Sequence, residues 1–418
     1  MAKRASAKSK GVEGGLGPSG VPAEAGGAGS GGAGSGGLGG GEPGALLAEL
    51  ARPRPTSLDV VIGQERAVGA LRAAQRAGRV HHAWVFHGPA GVGKFTSALA
   101  FAAELVTPAG LTAAGQGIDA AAVGAMLACG THPDVHVVCK ELASSSADAG
   151  VRKLKQTNIA VGVIDEFLLA PAARSRVVQS GTAIGKVFIV DQAELLEPKA
   201  QNQLLKTIEE PAEGTVIVLV TSQESDLLPT TRSRCQRVAF GPLSPGSMDR
   251  WLATSGLVLQ DEQRQWLLST AGGCPGQLTT ALTHGLFGWH QAIEPLLAAL
   301  DDGEVARAYA LGSTMCKLVE ERAAASVDGL ALASKDTANR VWARRMLALV
   351  AERARRRLAR AQVIAGGDES ASRRLLHWVD LLAQADELLD ANVQPQGVLD
   401  NLAAQMAGAV PLVPVLAR

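Results

Sequence analysis

The chain has 418 residues, enough for two or three domains that each bury a core, and 47% of them are hydrophobic but only 3% aromatic, so packing rests on Ala, Leu and Val. Forty basic and forty acidic side chains cancel, which excludes a protein that holds nucleic acid alone by bulk charge, so any DNA contact would be shared with partners. No apolar run reaches the roughly 18 to 20 residues of a spanning helix and no apolar signal core opens the chain, so a soluble, cytoplasmic protein without membrane contact is expected.

In chain order, Met1 to Lys10 is basic, and Gly11 to Gly44 holds 17 of the 48 glycines with hardly a side chain that could pack. Residues 1–50 are therefore expected to form a disordered leader. From Leu58 to Ala77 a turn at Gly63 precedes an amphipathic helix. Ala83 to His87 reads as a short strand, and Gly88-Pro-Ala-Gly-Val-Gly-Lys94 follows it directly into a helix ending near Leu105. Strand, glycine loop and helix together are the context of a P-loop: Gly88, Gly91 and Gly93 let backbone N–H groups turn inward to phosphate oxygens, and Lys94 reaches the terminal phosphates. The hydroxyl side chain that should follow the lysine and bind Mg²⁺ is instead Phe95. Thr96 lies about 100° further round the helix and cannot simply replace it.

The five cysteines, Cys129, Cys139, Cys235, Cys274 and Cys316, are scattered and odd in number, as for reduced thiols. Around Thr131 to Val138, Cys129, His132, His136 and Cys139 are conceivable metal ligands. Paired C-x-x-C spacing is missing, however, and residues 136 and 139 of a strand point to opposite faces, so zinc is not expected. Lys186 to Gln236 is the most informative stretch. Val187 to Val190 is a continuous apolar run ending on Asp191, as a central parallel strand does when it delivers a carboxylate to the sheet's carboxyl edge. A helix opens at Pro198 and stops at Pro211, and a second apolar run, Thr215 to Val220, ends on the hydroxyl residues Thr221 and Ser222. Arg234 follows in a Ser-Arg-Cys triplet. Beyond Pro242 the pattern is helical: Met248 to Leu257, Asp261 to Thr270, Gln277 to His284, then long amphipathic helices to the end, with Arg353 to Arg360 expected on a solvated or subunit-facing surface.

Asp191-Gln-Ala-Glu194, Asn202 to Pro211 and Leu228 to Gln236 together resemble the clamp-loader branch of the AAA+ ATPases, and within it the delta-prime family of subunits of the bacterial DNA polymerase III holoenzyme. The resemblance covers about Thr56 to Met406. It implies an α/β P-loop AAA+ core with a parallel sheet at 51–242, an α-helical lid at 243–288 and an α-helical collar for oligomerisation at 289–418. It also marks about 107–140 as a degenerate zinc-module region and Ile159 to Leu168 as a strand running into a helix. Nucleotide, ATP or ADP, would be held by Gly88, Gly91, Gly93, Lys94, Phe95, Thr96, Asp191 and Thr221, with Val61 to Gln64 approaching the adenine. Set against hydrolysing relatives, the chain has Phe95 for the magnesium hydroxyl, Gln192 for a glutamate and Gln277 for a lid arginine, so its own turnover would be weak or absent and Mg²⁺ is doubtful. Arg234 matches the arginine finger that serves a neighbour's nucleotide.

The expected function is thus that of a stator in a hetero-pentamer with ATPase and delta subunits, loading the sliding clamp on primed DNA. Two alternatives stand beside it. An ATP-hydrolysing clamp-loader or related AAA+ motor subunit would need Thr96 and Glu194 to replace the missing groups, and a lone nucleotide-sensing adaptor would act outside replication.

Overall fold

Residues 54–107, 120–153, 157–174, 184–327, 335–363 and 369–408 are described by the computed structural model. The expected leader, most of the stretch between Leu105 and Ala120, and the break at Ala365 to Asp368 lie outside them. Among the described residues five strands, β1 (Ala83–His87), β2 (Val135–Val138), β3 (Lys186–Val190), β4 (Thr215–Thr221) and β5 (Gln236–Ala239), form one parallel sheet in the order β2-β3-β4-β1-β5. Every residue of β3 and β4 is buried, which is why their sequences are apolar without alternation: both faces of the central sheet are covered. Edge strand β5, reading QRVA, buries only Val238.

Alternation instead decides which face each side chain meets. Trp84, Phe86, Val187, Ile189, Val216 and Val218 pack on one face against α1 (Glu65–Arg76) and α2 (Lys94–Val106), with α3 (Ala120–Cys129) joining through Leu127. Ala83, Val85, Phe188, Val190, Ile217 and Leu219 pack on the other against Ala200, Leu204 and Ile208 of α4 (Pro198–Glu209). Each such large side chain contributes about 1.5 to 3 kcal/mol by leaving water. Pro198 starts α4 because its missing N–H would have had no partner in a first turn.

The strand expected from Ile159 shrinks to a single bridge with Leu196. Ile159 donates to the Leu195 carbonyl at 2.8 Å and accepts from the Glu197 N–H at 3.2 Å. Further pairing would need residues 198 and 199 to stay extended, but Pro198 already opens α4, so the ladder stops. The chain then forms a helical turn at Val161–Ile164 and a π turn at Asp165–Leu169.

After the sheet come α5 (Pro245–Thr254), α6 (Asp261–Ala271) and α7 (Pro275–Thr283), then α8 (Leu286–Asp301), α9 (Arg307–Val327), α10 (Lys335–Val363), α11 (Glu369–Asp390) and α12 (Pro395–Met406). One buried cluster runs from Leu243 to Met406 across these helices. Residue 288 lies within α8 rather than at a break. Arg353 departs from the surface expected for the arginine-rich run: it is 4% exposed, and its guanidinium donates to Glu294 at 2.9 Å and Asp301 at 2.7 Å while lying over the Trp378 ring. Its position explains this, since residue 353 falls three after buried Val350 and seven after buried Met346, on the inner stripe of α10. Arg355 and Arg357 are exposed as expected. No helix among the described residues is long and apolar enough to cross a membrane.

Candidate nucleotide-binding site

Because β4 lies between β1 and β3, the segments leaving the carboxyl ends of these three strands come together at one edge. His87 pairs with Thr221, and Val190 with Leu219, so the glycine loop after β1, the hydroxyl end of β4 and Asp191 after β3 share a rim. A cavity of about 750 Å³ opens there, lined by seven of the residues named from the sequence, Gly91, Gly93, Lys94, Phe95, Thr96, Asp191 and Thr221, and also by Gln192, Glu194 and Ser222. Gly88 sits beneath the loop rather than on the cavity wall. A Cβ there would lie 2.0 Å from the Phe240 carbonyl oxygen, at a φ of +136°, so only glycine fits.

Lys94 opens α2 and is 6% exposed. Its ammonium donates to the carbonyls of Gly88 and Pro89, both at 2.6 Å, so in this chain alone the lysine is folded back on its own loop. Burial pulls its pKa below the usual lysine range, while the nearby Glu194 carboxylate, the Cys274 thiol and Asp191 oppose that shift. Glu194 is itself fixed, accepting from the Ser222 hydroxyl at 3.0 Å and the Ser222 N–H at 3.3 Å. Gln192 takes a left-handed conformation, φ 55°, at the corner between β3 and Glu194.

The opposite wall comes from the chain before and after the sheet. Val60, Val61 and Ile62 line it, and Gln64 ties this segment in place by donating to the carbonyls of Val92 and Gly241 at 3.0 and 2.7 Å. From the later helices come Trp251, Thr254, Pro275, Gly276 and Thr279. Pro275, Gly276 and Thr279 come from α7, which docks on the glycine loop, and Trp251 and Thr254 from α5. Gly276 donates to the Gly91 carbonyl at 2.8 Å, and a Cβ on residue 276 would stand 2.7 Å from the Gly91 Cα, so two glycines meet where any side chain would push the helix away. Gln277, beside this contact, is exposed and absent from the wall.

Arg234 lies apart from the cavity. It follows the helical turn Pro229–Arg232 on the surface, paired with Glu209 at 2.7 Å and donating to the Thr230 carbonyl at 3.0 Å. Cys235 beside it is half-buried, and burial pushes its thiol pKa up to about 12, which leaves no nucleophile.

The residues do not fit the usual magnesium ligand set of a P-loop. Phe95 presents a ring to the cavity at the position after the lysine, and the same ring packs against the core beneath α2. Of the conceivable zinc ligands, Cys129 is exposed, His132 is buried and His136 stacks on Phe188 at 4.7 Å. Among the described residues no group of three or more His, Cys, Asp or Glu side chains is placed to hold a metal ion.

With this geometry in view, a family model described as "DNA polymerase III, delta subunit" matches residues 63–244. The chain is 35% identical over 217 residues to the DNA polymerase III subunit delta-prime of Pseudomonas aeruginosa, covering 51% of this chain and 59% of that protein. It is 32% identical over 263 residues to the subunit gamma/tau of Mycobacterium tuberculosis, covering 62% of this chain and 40% of that protein. The chain therefore spans about half the length of these curated relatives. A Thermotoga maritima Holliday junction branch migration motor superposes on 61% of the chain and 67% of its own at 19% identity, with a TM-score of only 0.36. The apolar parallel strands, the glycine loop on β1 and the family match agree, and the stretch from residue 63 to residue 244 is similar to subunits of the DNA polymerase III clamp loader.

Proposed function

We propose that the chain is a delta-prime-type clamp-loader subunit acting as a stator in DNA replication. It binds nucleotide without turning it over efficiently and supplies Arg234 to the nucleotide of an adjacent ATPase subunit. The observation that carries this reading is the separation of the two charges a hydrolysing site needs together: Lys94 lies folded on its own loop inside the cavity, whereas Arg234 stands on the outer surface. An arginine there lies away from its own chain's cavity and, once released from Glu209, would neutralise the transferring phosphoryl group of a neighbour.

In this reading residues 51–242 are the nucleotide-binding core, 243–288 the lid and 289–418 the collar, which holds the subunit beside its ATPase and delta partners as the clamp is opened and placed on primed DNA. Thr96 and Glu194 both line the cavity, which keeps the hydrolysing alternative open to test. The test is ATP turnover by the reconstituted loader with clamp and primed DNA. Arg234→Ala is expected to cut turnover by roughly 10³-fold or more, as fingers supplied in trans do, with Lys94→Ala nearly silent. If Lys94→Ala is the damaging change and Arg234→Ala is silent, the chain hydrolyses its own nucleotide and the stator reading falls.

A further inference from the structure

The cavity is lined by one basic side chain, Lys94, among the described residues, and no arginine, against the carboxylates of Asp191, Glu194 and Asp59, the last paired with Arg72. In a site that uses Mg²⁺, the cation bridges such carboxylates to the outer phosphate oxygens, and a hydroxyl after the lysine helps hold it. Here that position is Phe95, whose ring is anchored in the core below and cannot coordinate. Thr96 carries a hydroxyl on the wall, but a position about 100° round the helix does not bring it to where the residue before it points. Without a bridging cation, the outermost phosphate of a triphosphate adds negative charge in a cavity lined by three carboxylates and a single ammonium. A diphosphate is held by the loop amides and Lys94 with less repulsion.

The geometry points to a site that takes a nucleoside diphosphate without a metal ion and discriminates against the triphosphate. This rests on the reading that the chain binds nucleotide at all. It assigns the subunit a nucleotide state that does not follow the ATP cycle of its neighbours, since the form bound is the one that remains after hydrolysis.

The experiment is equilibrium titration of the full chain with fluorescent ADP and fluorescent ATP, each in excess Mg²⁺ and in excess EDTA. ADP affinity is expected to change by less than about 3-fold on metal removal, and metal-free ATP to bind at least about 10-fold more weakly than ADP. Phe95→Thr should introduce a gain in ATP affinity on adding Mg²⁺ that wild type lacks, and Phe95→Leu should not. An ADP affinity that collapses in EDTA, or metal-free ATP binding as tightly as ADP, overturns the inference and leaves nucleotide binding standing. Failure of either nucleotide to bind under any condition removes the nucleotide-binding reading itself, and the inference with it.

Discussion

Glu209→Gln tests the finger role proposed for Arg234, because in the chain alone this arginine is already engaged. Its Nε lies 2.7 Å from a Glu209 carboxylate oxygen, with the two side chains 41% and 47% exposed. A pair so exposed is worth about 0.2 to 1 kcal/mol, because solvent screens it and two long side chains lose freedom in making it. To serve a neighbour's nucleotide the guanidinium must give that contact up. Removing the carboxylate charge therefore lowers the cost of presenting the finger by at most about 1 kcal/mol, a factor of about 5 in population. Turnover by the reconstituted loader should rise by no more than that factor or stay level, and the melting temperature of the isolated chain should hardly move. Arg234→Ala in the same assay should still cost about 10³-fold. If Glu209→Gln lowers turnover as far as Arg234→Ala does, Glu209 orients the arginine rather than competing for it, and the reasoning is refuted.

Arg353→Ala should destabilise the helical region by about 2 to 3 kcal/mol, short of the 3 to 5 of a fully buried pair because Glu294 can rehydrate; urea unfolding followed by tryptophan fluorescence, with Trp378 beneath the guanidinium, reads it. Arg355→Ala, at an exposed pair with Glu352, should cost under about 0.5 kcal/mol, and equal shifts for the two variants would contradict the burial argument. Leu204→Ala, emptying a fully buried site between α4 and the sheet, should cost about 2 to 5 kcal/mol in the same measurement. Burial raises the Cys235 thiol from the ordinary 9.0 to about 12, so the neutral form is favoured in the folded chain and its contribution, present below pH 9.0, is lost as pH climbs from there towards 12. Alkylation at pH 8 should accordingly modify exposed Cys129 well before Cys235, as peptide mapping would show.

Local chemistry was enough to read the centre of this protein. Val187 to Val190 and Thr215 to Val220 had to be interior parallel strands because no water-facing residue interrupts them, and both are. Gly88 to Lys94 had to turn tightly between strand and helix, and it does so through glycines with φ of +136°, +82° and +99°. That no hydroxyl follows Lys94 was legible directly, since Phe95 stands there. Where one partner of a contact lies far along the chain, local pattern was silent or misleading: the Ile159 strand ended because its partner segment turns into α4, and Arg353 went inside because Glu294 and Asp301 wait there.

What the sequence by itself determined is the set of elements and the chemistry each can deliver, because strand burial, glycine turns and helix starts are fixed by neighbours within a few residues. The tertiary structure decided their company. Strand order puts β4 between β1 and β3, so that Thr221 and Asp191 reach the glycine loop, and the meeting of Gly91 with Gly276 brings Thr279 to the same cavity. It also leaves Arg234 outside, against Glu209. Those pairings depend on which faces pack across long loops, a choice that no local periodicity records.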